Sequence, residues 1–117
     1  MHEMAVAENL LELALKEARS RGCDRLLTLT VQYGQISGIM PDALRLAFQI
    51  LVSDTAHAAA ELILEELPLR LRCPFCQHRF EPGGDGGIFQ PCPNCGEDFA
   101  QIVEQGRELL LASIEAV

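Results

Sequence analysis

The residues whose types and spacing point most clearly to chemistry are four cysteines arranged as two Cys-x-x-Cys pairs. Cys73 and Cys76 form the first pair, and Cys92 and Cys95 form the second. Two intervening residues allow a tight turn to aim both sulfur atoms at one ion, and two such pairs supply the four thiolates of a tetrahedral zinc site. Four thiolates leave no open coordination position, so we expect a structural zinc ion.

The segment between the two pairs contains a glycine-rich run that cannot order itself by burying apolar side chains, Glu81-Pro82-Gly83-Gly84-Asp85-Gly86-Gly87. Zinc binding coupled to folding would supply about 10 to 16 kcal/mol toward ordering it. Disulfides are the alternative, but they need an oxidising compartment. The N-terminus carries Glu3 and Glu8 and lacks the basic and then apolar stretch of an export signal. No apolar run approaches the length that spans a membrane. We therefore expect a cytoplasmic protein with reduced thiols and no membrane partner.

The charge of the chain argues against a nucleic-acid partner. Its 117 residues carry a formal net charge of -8. Within residues 73–106, Arg79 is the sole lysine or arginine, and it is outnumbered by the acidic residues Glu81, Asp85, Glu97, Asp98 and Glu104. A surface that follows a phosphate backbone needs the opposite balance. We therefore keep one binding function only as the alternative. It is a zinc-ribbon module that binds protein or nucleic acid in the transcription or translation apparatus.

The remaining reactive side chains do not form a catalytic pattern. A dithiol oxidoreductase is a third class, but redox Cys-x-x-Cys motifs come singly at a helix start and not as duplicated pairs. Phosphate loops, nucleophile motifs and paired catalytic acids are absent, so we predict that the chain is not an enzyme. Cys23 is expected to pack as a small apolar residue. His57 and His78 are expected to be solvated or packed, and His78 is also placed to hydrogen-bond a zinc thiolate.

The N-terminus offers a second set of metal ligands, Met1-His2-Glu3. The α-amine, the backbone nitrogen of His2 and its imidazole can form fused chelate rings, with Glu3 within reach of a fourth position. Nitrogen-rich, near-planar donor sets suit Ni(II) and Cu(II). The alternative is that His2 and Glu3 merely precede a helix, where a carboxylate favours the positive end of the helix dipole. The residues alone leave both interpretations open.

Apolar periodicity predicts two helices. The first covers residues 4–21, with Gly22 where a C-terminal cap belongs. The second starts at Pro41, which suits a first helical turn, and should end at Ser53-Asp54-Thr55. The apolar stripes consist of Met4, Ala7, Leu10, Leu11, Ala14, Leu15 and Ala18 in the first helix and of Leu44, Ala47, Phe48 and Leu51 in the second.

The sequence pattern predicts the strands less clearly than it predicts the helices. Alternating apolar and polar residues predict a strand over residues 27–33 and an extended chain over residues 67–72. Residues 58–66 are ambiguous because their composition favours a helix by propensity. Toward the end, residues 99–104 and 107–116 are predicted to be strands on either side of a Gln105-Gly106 turn.

Four groups of residues, taken in order, point to a known family. Met1-His2-Glu3-Met4 opens the chain, Gly38-x-x-Pro41-Asp42-Ala43-Leu44-x-x-Ala47-Phe48 follows, the paired cysteines come next, and Gly106-x-Glu108-Leu109 with Ser113-Ile114-Glu115 lies near the end. In this order and spacing they resemble the hydrogenase maturation nickel metallochaperones, the HypA/HybF family. The resemblance runs over essentially the whole chain.

This resemblance implies an α+β fold, with two helices on a small three-stranded sheet and a four-cysteine zinc-ribbon lobe inserted between the second and last strands. It implies that residues 60–72 form a strand, and we follow it over the helical propensity. The domains would then be a nickel-binding α/β domain of residues 1–72 plus 106–117 and a zinc-binding lobe of residues 73–105.

The resemblance also implies a function, the delivery of nickel to the large subunit of a [NiFe] hydrogenase together with a GTPase, HypB. Some members also serve urease. Met1, His2 and Glu3 thereby become the expected ligands of a transported Ni2+, beside a structural Zn2+ on the four cysteines. Asp42 matches the family's middle motif, but as a helix-start residue we do not place it in the nickel site. A homodimer is possible.

Overall fold

The computed structural model of the chain describes residues 2–83, 87–98 and 100–117. Its strands form two three-stranded sheets, with the strand orders β2-β1-β6 and β4-β3-β5. Two helices accompany the first sheet, so the predicted α+β fold with an inserted cysteine-containing lobe is confirmed. In chain order the elements are α1 (Glu3–Ser20), β1 (Leu26–Gly34), α2 (Pro41–Val52), β2 (Glu61–Leu67), β3 (Arg70–Arg72), β4 (Arg79–Phe80), β5 (Ile102–Gln105) and β6 (Leu109–Ala116).

Both helices pack on one face of the first sheet and form a single core with it. In this sheet β1 lies in the middle, parallel to β2 and antiparallel to β6. The opposite face of β1 carries half-buried polar residues, as the period-two pattern predicts. The buried core consists of Ala7, Leu10, Ala14 and Ala18 from α1, Leu44, Ala47, Phe48 and Val52 from α2, Leu26, Leu29, Val31 and Tyr33 from β1, Leu62 from β2, and Ile39 from the loop before α2.

The predicted boundaries of the first three elements agree with the structure within one residue. The α1 helix is followed by Gly22 with φ of 73°, the left-handed geometry that favours glycine there. Pro41 occupies the first turn of α2, and Ser53 caps its end. In the part of the chain that the structure describes, neither helix is long and apolar enough to span a bilayer.

The prediction of one continuous strand over residues 60–72 is wrong. The strand character of Glu61–Leu67 is confirmed, but the chain leaves the first sheet at Pro68 and re-enters strand structure at Arg70 in the second sheet. Proline has no backbone N–H with which to continue a ladder. The next amide, on Leu69, donates instead to the side-chain Oε1 of Gln35 at 2.8 Å.

The segment after the second cysteine pair also differs in detail. Of the strand predicted over residues 99–104, Phe99 lies outside the described residues and the observed strand starts at Ile102. Gln105 belongs to β5 and not to a turn, so the turn falls on Gly106, which has φ of 138°. The last strand begins at Leu109 and returns to pair with β1.

The two sheets are joined where the chain crosses twice between them. The loop after β1 forms a backbone hydrogen bond to each of the two crossing segments. Gln35 N donates to Leu67 O at 2.9 Å, and Ile36 N donates to Gly106 O at 2.8 Å. The molecule is elongated, 55 × 26 × 17 Å. The division into residues 1–72 plus 106–117 and residues 73–105 stays a prediction. The pairing of β3 with β4 and β5 favours a boundary nearer Pro68.

Candidate metal centres

The two cysteine pairs form turns, here called knuckles, with the same backbone hydrogen bonds. In the first, Cys73 N donates to His78 O at 2.9 Å and Gln77 N donates to Cys73 O at 3.0 Å. In the second, Cys92 N donates to Glu97 O at 3.0 Å and Gly96 N donates to Cys92 O at 2.8 Å. Each knuckle therefore turns its two thiols to one side, as the spacing predicted.

The four thiols meet at one point between the knuckles. All four Sγ atoms lie within 4.8 Å of one another, and they are the only such group of metal-binding side chains found among the described residues. Sγ of Cys73 lies 3.6 Å from Sγ of Cys95, and Sγ of Cys76 lies 3.6 Å from Sγ of Cys92. A zinc ion with Zn–S bonds of about 2.3 Å needs sulfur atoms about 3.8 Å apart. The donor set and its size therefore fit a four-thiolate zinc site.

Hydrogen-bond donors surround the thiols unevenly. Asn94 donates its side-chain Nδ2 to Cys76 Sγ at 3.5 Å and its backbone N to Cys92 Sγ at 3.4 Å. The Asn94 side chain, with the backbone amide of His78, lowers the pKa of the Cys76 thiol to about 6. The Glu97 amide favours the thiolate of Cys95, but burial and the neighbouring thiols outweigh it and raise the pKa of Cys95 to about 12. Asn94 thus favours the thiolate form of Cys76.

The second sheet supports the knuckles through an ion-pair cluster. Glu104 of β5 lies 2.6 Å from Arg79 Nε of β4 and 3.2 Å from Arg72 Nε of β3, so one carboxylate joins all three strands. The hydrogen bond from Arg79, with the charges of both arginines, lowers the pKa of Glu104. Arg72 and Arg79 thus form ion pairs with a carboxylate of their own sheet.

A buried glutamine fastens the second knuckle to the sheet. Gln101 is only 4% exposed, and it donates its Nε2 to Gln90 O at 2.8 Å and its backbone N to Ile88 O at 2.9 Å. The chain entering the second knuckle is thereby held next to β5. Sequence reasoning missed both Asn94 and Gln101. The position of Asn94 between two cysteines was a usable signal, whereas Gln101 had none.

The predicted nickel ligands lie at the start of α1. Met1 lies outside the described residues. His2 is the exposed N-cap residue, and its side chain makes no capping hydrogen bond. Glu3 is the first residue of the helix, and Met40 N lies 3.4 Å from its Oε2, next to the first turn of α2. The His2 imidazole is therefore accessible, while the Glu3 carboxylate has a backbone partner in the neighbouring loop.

The other candidate side chains serve the fold. Cys23 is half-buried against the core and lies apart from the thiol cluster, as predicted. The ring of His78 stacks on Phe80 with centroids 6.0 Å apart. His57 Nδ1 accepts a hydrogen bond from the backbone N–H of Leu26 at 3.1 Å. His57 thus has a specific structural partner that its alanine-rich surroundings did not indicate.

Comparison with known proteins decides the family. The model of the family described as HypA, "Hydrogenase/urease nickel incorporation, metallochaperone", matches residues 1–116. This chain belongs to the HypA family. The hydrogenase maturation factor HypA of Solidesulfovibrio magneticus is 38% identical over 115 residues, covering 98% of each chain. That of Lawsonia intracellularis is 36% identical over 116 residues, also covering 98% of each.

Two solution structures share the fold. The Ni metallochaperone HypA from Helicobacter pylori superposes with a TM-score of 0.70 at 24% identity, covering 100% of this chain and 98% of the other. A second HypA protein gives 0.73 at 24% identity, covering 100% and 97%. The arrangement of two helices, two sheets and a cysteine lobe is therefore that of HypA structures. As a HypA-family member the chain is placed among nickel metallochaperones of hydrogenase maturation, and the transcription or translation module is not favoured.

Proposed function

We propose that this protein binds Ni(II) at its N-terminus, through Met1, His2 and Glu3, and delivers it during [NiFe] hydrogenase maturation. The whole-chain match to the HypA family carries the proposal. The accessible His2 imidazole at the helix N-cap supports the assignment of the ligands. Zn2+ on Cys73, Cys76, Cys92 and Cys95 plays a structural part only.

The partners follow from this role. Nickel transfer is a ligand exchange that makes and breaks no covalent bond in a substrate, so we infer that the protein is not an enzyme. The GTPase HypB and the hydrogenase large subunit are the proposed partners, in the cytoplasm, with no part for nucleic acid or membrane. The acidic balance of the chain, -8, is consistent with a carrier of cations.

The decisive experiment alters the terminus and leaves every side chain in place. If the α-amine is a ligand, acetylation of Met1 converts it into an amide without supplying a new amine, so the chelate ring that the amine shares with the His2 nitrogen is lost. We expect native mass spectrometry of the zinc-loaded protein to show one added nickel for the free terminus and much weaker uptake for the acetylated form. His2→Ala should weaken uptake in the same way.

His78→Ala serves as the matched control, because His78 is also exposed but lies in the other lobe. It should bind nickel like the unaltered protein. Undiminished one-to-one nickel binding by the acetylated form would rule out the Met1 amine as a ligand. Loss of nickel in His78→Ala would move the site to the zinc lobe.

A further inference from the structure

The Asn94 side chain spans the gap between the two knuckles. Asn94 belongs to the second knuckle, and its Nδ2 donates to Cys76 Sγ of the first knuckle at 3.5 Å. Its backbone N donates to Cys92 Sγ of its own knuckle at 3.4 Å. The equivalent residue of the first knuckle is Phe75, whose side chain carries no hydrogen-bond donor. Asn94 therefore contacts one sulfur atom of each cysteine pair.

The rest of the structure holds the two knuckles unequally. The first knuckle is tied to β3, because Gln77 Oε1 accepts a hydrogen bond from the Arg72 side chain. The second knuckle consists of exposed residues throughout positions 93–98, so no packed core surrounds it. Gln101 holds the chain ahead of this knuckle, at Gln90 O. The orientation of the second knuckle therefore depends strongly on its contacts with the first, and the Asn94 side chain makes one of them.

The angle between the two cysteine pairs decides which metal ion the four sulfur atoms suit. Each pair supplies one edge of the coordination polyhedron. Crossed edges give the tetrahedron of a four-thiolate zinc site, whereas parallel edges give the square plane that Ni(II) favours. A square with sides of 3.6 Å, the length of both sulfur contacts between the knuckles, would have diagonals of about 5.1 Å. All four sulfur atoms lie within 4.8 Å of one another, so they do not form such a square.

We propose that Asn94 is a specificity-determining residue that keeps nickel out of the zinc site. Its side-chain N–H, held on Cys76 Sγ, resists the rotation of the second knuckle that would bring the four sulfur atoms into one plane. The inference rests on the proposed function, because a protein that carries nickel exposes its own zinc site to that ion. Asn94 acts through the sulfur ligands and does not touch the metal, so it is a positioning residue.

The test is the competition of nickel with zinc for the four cysteines. Nickel is added in increasing amounts to the zinc-loaded full chain at a fixed concentration of free zinc. Nickel–thiolate charge-transfer absorption measures nickel on the cysteines alone, and His2→Ala is combined with every variant to weaken the proposed terminal site. Asn94→Ala should shift the nickel-for-zinc exchange constant at least about tenfold toward nickel. Asn94→Asp has the same shape without the side-chain donor and should shift it in the same direction.

Cobalt(II) in place of zinc gives a local measurement of the hydrogen bond. A thiolate that loses an N–H donor gives up electron density more easily, so the sulfur-to-cobalt charge-transfer band should move to lower energy in Asn94→Ala. A residue that merely stabilised the fold of the lobe would leave the energy of this band unchanged. An unmoved band in Asn94→Ala would overturn the proposal.

Phe89→Ala is the matched control, because Phe89 is 72% exposed in the same lobe and has no hydrogen-bonding side chain. It should match the unaltered chain in both measurements. The proposal is overturned if Asn94→Ala keeps the exchange constant of the unaltered chain. It is also overturned if zinc and nickel are weakened equally, because Asn94 would then hold the lobe together without discriminating between metals. Failure of the proposed function is seen separately, as a lack of nickel uptake at the free terminus of the chain that retains His2.

Discussion

Gln77 and Gly96 occupy the same position in the two knuckles, directly after the second cysteine of each, and both have a left-handed backbone, with φ of 66° and 77°. A side chain makes this conformation costly, and Gly96 avoids the cost. Gln77 compensates with its side chain, whose Nε2 donates to Pro74 O at 3.1 Å and whose Oε1 accepts from Arg72. The two knuckles therefore reach one geometry by different means.

This relationship predicts that Gly96→Ala weakens the zinc lobe by about 1 kcal/mol, the cost of a left-handed residue with a Cβ atom. No steric clash adds to it, because a Cβ atom at Gly96 would have no neighbour within 4 Å. Thermal unfolding of the zinc-loaded protein measures the change. Gly83→Ala is the control, since that glycine also has open space but no left-handed backbone. Equal melting temperatures for the two variants would contradict the prediction.

The cysteine assignment makes a prediction about metal content and local order. Cys73→Ser should abolish stoichiometric zinc and unfold residues 73–95, because a buried thiolate ligand is lost and the segment has little apolar core of its own. The α1 helix, which packs on the other sheet, should remain folded. Cys23→Ser is the control and should keep one zinc per chain. Metal analysis measures the zinc content, and the backbone amide spectrum shows which residues remain folded. Full zinc retention by Cys73→Ser would contradict the assignment of Cys73 as a zinc ligand.

The junction of the two sheets makes Gly34 indispensable. A Cβ atom there would lie 1.9 Å from the backbone oxygen of Gly106 and 2.5 Å from the backbone nitrogen of Arg107. Neither atom can move away without breaking the hydrogen bonds of the crossing. Gly34→Ala should therefore cost more than about 3 kcal/mol of unfolding free energy, measured in urea. Gly22→Ala, with φ of 73° and open space, should cost only about 1 kcal/mol.

What the sequence revealed was the part that depends on local pattern. Helical periodicity located α1 and α2, alternation located β1, and the Cys-x-x-Cys spacing identified the four thiols that the fold brings together. The break at Pro68 follows from the missing N–H of proline, a local signal that the strand implied by the family resemblance overrode. The partner of the next amide is remote. The amide of Leu69 is satisfied by Gln35, a residue far away in the sequence, and no pattern around position 69 indicates that.

The ion-pair cluster of the second sheet predicts a pH dependence. The pKa of Glu104 is lowered by the hydrogen bond from Arg79 and by the charges of both arginines. A lowered pKa in the folded state means that Glu104 contributes stability above its unfolded pKa of about 4.3, and that this contribution is lost as the pH falls through the folded value. Glu104→Gln should be less stable than the unaltered protein at neutral pH, and the gap should close on acidification.

Glu104→Gln and the unaltered protein carry the same four thiolates. The effect of acid on these thiolates therefore cancels in the difference between the two unfolding free energies. Glu115→Gln is the control, because Glu115 accepts a hydrogen bond from the Thr28 hydroxyl at 2.8 Å and belongs to the other sheet. Urea unfolding at a series of pH values measures the difference in unfolding free energy between each variant and the unaltered protein. A difference between Glu104→Gln and the unaltered protein that stays constant down to about pH 3 would contradict this account.

His57 provides the last prediction, because its imidazole takes the place of a backbone acceptor. Leu26 is 1% exposed, and its N–H donates to His57 Nδ1 at 3.1 Å where β1 begins. His57→Ala should cost about 1 to 3 kcal/mol of unfolding free energy by leaving this buried amide without that acceptor. His57→Asn should recover part of the loss, because an asparagine Oδ1 reaches nearly the position of Nδ1. His78→Ala, at an exposed position, should change stability little. If His57→Asn and His57→Ala are equally destabilised, the hydrogen bond to Leu26 is not what holds His57 in place.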